Sequence, residues 1–81
     1  MRYQTTHEIY QFLWDYYQEH GFAPTYREIA ESCFIAHTGV ASHLDRLTRW
    51  GWITREEGKA RSMRPLQDPT TVLTPENPQK N

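Results

Sequence analysis

Residues 24–51 read PTYREIAESCFIAHTGVASHLDRLTRWG, and the fold turns on how this stretch is divided. Thr25 and Glu28 have the S/T-x-x-E spacing of a capping box, in which each side chain satisfies a backbone amide near the other, and Pro24 stands just ahead of them. Ile29 and Ala30 are then the inward residues of a two-turn helix ending near Ser32. The connection from Cys33 to Ala36 is tight, with Ile35 placed to plug between the flanking helices. The next helix starts at His37 or Thr38, and Thr38 is its expected N-cap. From there Val40, Leu44 and Leu47 recur at i, i+4, i+7 as a buried stripe. Thr38, Ser42 and Arg49 fall on the opposite side of the same helix, and Gly51 closes it.

Working outward, Thr5 and Glu8 repeat the capping-box spacing, and Ile9, Phe12, Leu13 and Tyr16 form a helical core stripe behind them. That first helix runs to about His20, where Gly21 supplies a left-handed terminator. On the other side, residues 52–56 read as a strand, 57–61 as a glycine-containing turn and 62–66 as the returning strand. Helix, helix, short turn, helix, hairpin is the layout of a winged helix-turn-helix: a mainly α fold of three helices with a two-stranded wing. The domain is expected to cover residues 5–66. Residues 67–81 carry three of the five prolines and few apolar side chains, so they are expected to form a flexible polar tail.

A domain this short leaves little room for a core, but three Trp, five Tyr and three Phe supply large rings, each able to bury roughly 150–250 Å². Cys33 is the single cysteine of the 81 residues, which excludes an internal disulfide. With no apolar leader or membrane-spanning stretch, it points to a reducing cytoplasm and away from a membrane partner. The net charge of −1 argues mildly against a nucleic-acid partner, yet the charge is unevenly placed. Residues 37–66 carry six basic and three acidic groups, against two basic and five acidic in residues 1–36, so the cationic surface is confined to the third helix and the hairpin.

From Thr5 to Leu66 the chain resembles the LexA repressor family. The resemblance rests on the aromatic-rich first helix, the run GFAPTYREIAE (21–31), the third-helix residues Val40 and His43–Leu47, the closing Gly51-Trp52-Ile53, and GKAR (58–61) on the wing. It implies a repressor that binds double-stranded operator DNA, usually as a dimer. Two departures stand out. The turn between the second and third helices is one residue shorter than the usual pattern, and Phe34 sits near a position where glycine is common. Only a polar tail follows Leu66, so the self-cleaving protease domain of full-length family members, and self-cleavage with it, is not expected in this chain.

In helix-turn-helix docking the N-terminal residues of the recognition helix meet base edges in the major groove. This assigns Thr38, Gly39, Ala41 and Ser42 to base reading, with Arg46 one turn further on at a guanine edge or a phosphate. For Thr38 the competing role is N-capping. Arg49 is assigned to phosphates, with an ion pair to Asp45 as its alternative. Lys59, Arg61 and Arg64 on the wing would follow the backbone or enter the minor groove. Thr25, Tyr26 and Arg27 open the second helix, where amides, hydroxyls and a guanidinium could meet a phosphate, although capping alone accounts for Thr25. His43 is expected to fix helix packing through a hydrogen bond.

Tyr10, Trp14 and Tyr17 make a second apolar stripe on the first helix, and Trp50 is a borderline position on the third. They either pack under the wing and tail or form an interface with a second copy or another protein. The alternative function is accordingly a winged-helix protein-interaction module, an inhibitor or antirepressor. Cys33, His37 and His43 lack paired zinc-ligand spacing, so no metal or other cofactor is expected. The acids and histidines are scattered without a nucleophile–base pairing, so the chain reads as a non-enzyme.

Overall fold

A computed structural model describes residues 4–56 and 62–72. Three helices, α1 (Gln4–His20), α2 (Tyr26–Cys33) and α3 (His37–Trp50), are followed by strands β1 (Ile53–Thr54) and β2 (Arg64–Pro65) and a one-turn helix α4 (Pro69–Val72). The architecture is a winged helix-turn-helix. The strands are antiparallel, with Ile53 opposite Pro65 and Thr54 opposite Arg64. Two further links extend the ladder: Leu66 N–H donates to the Trp52 carbonyl at 2.8 Å, and the Ser62 hydroxyl joins both backbone groups of Glu56 at 3.0 Å. The pairing therefore spans the expected residues, although its regular part is shorter. The wing tip, 57–61, lies outside the described residues, and Lys59 and Arg61 with it.

All three helices contribute to one core. Ile9, Tyr10 and Leu13 of α1, Ile29 and Ala30 of α2, and Val40, Leu44 and Leu47 of α3 close on one another, with Trp52, Ile53 and Met63 sealing the wing side. The α3 stripe is the one its spacing predicts. On α1 the expectation needs correcting. The chain is already helical at Gln4, so Thr5 is not an N-cap, and the buried arc is Thr6, Ile9, Tyr10 and Leu13 rather than a stripe ending at Tyr16. A polar residue leads this arc because Thr6 finds partners on α3. Tyr16 instead sits half-buried with its ring 4.1 Å from that of His20.

Of the two readings open for Tyr10, packing under the wing and tail or an interface, the structure takes the first: it is fully buried. Its ring lies 5.2 Å from that of Trp52, and its hydroxyl meets the Gln67 carbonyl while accepting the Gln67 amide at 3.2 Å. The buried phenol reaches backbone polar groups that water would otherwise serve. This clasp holds the segment after the wing against α1. The packing continues beyond Leu66, the expected domain end, through buried Pro69 and Val72 of α4. Asp68 starts that turn by accepting the Thr70 amide at 2.8 Å and the Thr70 hydroxyl at 2.7 Å. No helix among the described residues is long and apolar enough to cross a membrane.

Candidate nucleic-acid interface

The two helices of the helix-turn-helix begin differently. At α2, Thr25 is the N-cap: its hydroxyl accepts the Glu28 amide at 3.1 Å, and Glu28 Oε1 accepts the Thr25 amide at 2.8 Å, completing the box that the spacing predicts. Thr25 is thereby occupied, as is the carboxylate that shields the amides behind it. At α3 the N-cap is Ala36, which offers no side-chain bond, and the first turn holds no acidic residue. Thr38, expected as the cap, is instead the second helical residue, and its side chain is exposed. The α3 N-terminus thus presents uncapped amides and the positive end of a 14-residue helix.

Along α3, Thr38, Ala41, Ser42 and Arg49 are exposed and Gly39 is half-exposed, leaving one open face over the buried stripe. Arg46 behaves otherwise. Its guanidinium turns back toward α1, where Nη1 donates to Thr6 Oγ1 at 2.9 Å. Thr6 Oγ1 is in turn 2.8 Å from His43 Nδ1, and the same Arg46 nitrogen lies 3.4 Å from that ring atom. With a guanidinium donor on one side, Nδ1 acts as the acceptor and Thr6 donates to it. Burial, and secondarily the Arg46 charge, push the His43 pKa below its ordinary value. His43 therefore has the packing role expected of it, and Arg46 joins it in bracing α3 on α1.

Asp45 shares the open face, where an uncompensated carboxylate would repel phosphate. Its partner is Arg55 at the end of β1, through Nη2, rather than Arg49. Arg55 Nη1 also donates to the Tyr26 hydroxyl at 2.9 Å, so one guanidinium ties α2, α3 and the wing together. Sequence reading missed Arg55, because a bridge between residues 26, 45 and 55 has no periodic signature. Tyr26, assigned to a phosphate in the sequence, accepts this bond through its hydroxyl oxygen. Arg64 is exposed on β2, and the nearby Tyr17 side chain favours its charged form.

Of the aromatic residues assigned to a partner surface, Tyr17 and Trp50 pack against the core margin and Trp14 is half-buried. Trp50 lies 4.8 Å from the Trp52 ring, and His7 stacks on Trp52 at 5.7 Å. These rings extend the core beneath the wing. Arg27 is exposed on α2 and, with Ala30, Glu31, Ile35 and His37, lines a groove of about 360 Å³ between α2 and α3. Cys33 is a half-buried free thiol whose pKa is pushed up by burial and, less, by the Glu8 charge. Among the described residues, no group of three or more metal-ligating side chains is gathered.

A family model described as LexA DNA binding domain matches residues 4–62. The chain is 38% identical over 56 residues to a LexA repressor of Oleidesulfovibrio alaskensis, covering 69% of this chain and 27% of that protein. It is 43% identical over 63 residues to a LexA repressor of Sorangium cellulosum, covering 76% and 26% of the two chains. A LexA repressor of an Anaeromyxobacter species (strain Fw109-5) is 37% identical over 67 residues, covering 82% and 29%. The chain spans little more than a quarter of the length of these relatives.

Proposed function

The chain belongs to the LexA DNA-binding domain family, and from that premise we propose that it is a transcriptional repressor that occupies double-stranded promoter DNA through the open face of α3. The observation that carries this reading is the start of α3. An uncapped, acid-free helix end stands beside the exposed Thr38, Ala41 and Ser42, the part of a recognition helix that meets base edges. Thr38 and Ser42 supply hydroxyls for base or phosphate oxygens and nitrogens. Ala41 offers a methyl surface, and Gly39 permits close approach.

Arg49 at the far end of that face and Arg27 on α2 serve the phosphates. Lys59 and Arg61 do so from the wing, along the backbone or in the minor groove. Arg46 contributes by holding α3 at its angle, with Arg55 locking the wing to the same helix. The protein works as a dimer on paired half-sites, in keeping with the symmetry of helix-turn-helix operators. Its site of action is the cytoplasmic chromosome.

Titration of fluorescent duplex DNA from the protein's own upstream region, at two salt concentrations, tests this. Wild type should bind with a steep salt dependence. An Arg49→Ala, Lys59→Ala, Arg61→Ala triple variant should lose about 2–3 units of the log–log salt slope, close to one per phosphate contact. Failure of wild type to bind that duplex or a randomised pool overturns the reading.

A further inference from the structure

Phe34, at the apex of the turn between α2 and α3, combines two features that the folded domain alone does not reward. It is the C-cap of α2 with φ 59° and ψ 45°, and among the described residues it is the one non-glycine with positive φ. That left-handed conformation favours glycine, because any Cβ is crowded there. Its ring is also 92% exposed, against 44% for Phe22 and 56% for Leu66, the other large apolar side chains in solvent. A residue that strains the backbone and leaves an aromatic ring in water gains nothing visible within the fold.

Its position says what covers it. Ile35, the next residue, packs inward against the core, and Ala36 is the bare N-cap of α3, so the exposed Phe34 lies two residues ahead of the helix end assigned to base reading. Two Cα–Cα steps of about 3.8 Å separate Phe34 from that N-cap. The base-reading side chains Thr38, Gly39, Ala41 and Ser42 are all short. The apolar group displayed by DNA in the major groove is the thymine methyl, and phenylalanine is among the side chains that cover it. We propose that Phe34 is a further specificity residue, packing on the methyl of a thymine that flanks the base pairs met by Thr38 and Ser42. The inference rests on the DNA-binding reading above.

The test uses duplexes selected from a random pool by the wild-type full chain, then rebound by wild type and Phe34→Gly. Selected duplexes should carry a preferred thymine beside the central contacts. Phe34→Gly should melt at or above the wild-type temperature, as expected from relief of a left-handed residue, yet bind these duplexes about tenfold more weakly. Replacing that thymine with deoxyuridine, which lacks the methyl, should weaken wild type about threefold and leave the variant unaffected.

Equal binding and equal thymine preference for the two proteins would overturn the proposal. So would a lower melting temperature for the variant, which would make Phe34 a packing residue. Sedimentation of DNA-free protein provides a further check, because weaker self-association in the variant would assign Phe34 to a contact between copies. If wild type selects no duplex, it is the DNA-binding reading itself that fails.

Discussion

The start of α2 and the start of α3 lie 11 residues apart in one helix-turn-helix, Tyr26 against His37, and they are built to opposite ends. At α2, Thr25 and Glu28 satisfy each other's amides, and a carboxylate sits at the positive end of the helix dipole. At α3, Ala36 satisfies nothing beyond its own turn, in which its carbonyl accepts the Gly39 amide at 3.0 Å, and no acid follows. The chain thus completes the helix that supports and leaves open the helix proposed to read DNA. A helix end left without a cap is a cost to the isolated domain that a phosphate or base can offset on binding.

Exchanging these two designs should have the largest effect. Ala36 already has the extended backbone of a cap, φ −66° and ψ 142°. Ala36→Asp should therefore stabilise the domain by about 0.5–1 kcal/mol in thermal melts. The same change should weaken duplex binding by at least tenfold, about 1.4 kcal/mol, because the carboxylate takes the amides and repels phosphate. Ala36→Ser should give part of the stability with a much smaller loss of binding. Tighter DNA binding by Ala36→Asp would break the comparison.

The converse change at α2 should act on stability alone. Thr25→Ala removes one half of the capping box and should cost about 1 kcal/mol, lowering the melting temperature by about 4–8 °C in a domain of this size. Affinity measured well below that transition should stay at the wild-type value. A loss of binding matching that of Ala36→Asp would instead make Thr25 a contact residue and put both helix starts on the DNA.

How much of this could be read beforehand follows the same division. The α2 cap, the α3 stripe of Val40, Leu44 and Leu47, and the residues paired in the hairpin are local or periodic, so spacing alone reveals them. The burial of Tyr10 stays an open alternative in the sequence and that of Thr6 leaves no signal there, because both depend on partners far along the chain, Gln67 for one and His43 with Arg46 for the other. Thr38 is expected as the cap because residue type favours threonine there, whereas the cap lies two residues earlier, at the bare Ala36, and the helix takes the earlier of its two expected starts, His37. The Arg55 bridge left no trace for the same reason as Tyr10: it joins three elements, and no window of sequence contains them.

The smallest predicted effect concerns how the open helix is held from behind, and it is a matter of pH. Burial lowers the pKa of His43, with the Arg46 charge adding to it, and burial alone lowers that of His7 beneath Trp50 and Trp52. In both cases the unfolded chain takes up a proton more readily than the folded one. Stability should then be fully present above the ordinary histidine value of about 6.5 and fall as the pH drops below it. Protonating His43 Nδ1 would also remove the acceptor for Thr6 and set two cations 3.4 Å apart. His43→Gln retains a side-chain acceptor but cannot titrate, so its melting temperature should fall less between pH 7.5 and 5.5 than that of wild type. An unchanged acid slope in His43→Gln, with the slope lost in His7→Gln, would move the sensitivity from the α1–α3 brace to the rings under the wing. The support behind α3 would then be independent of pH, and the difference between the two helix starts would rest on their caps alone.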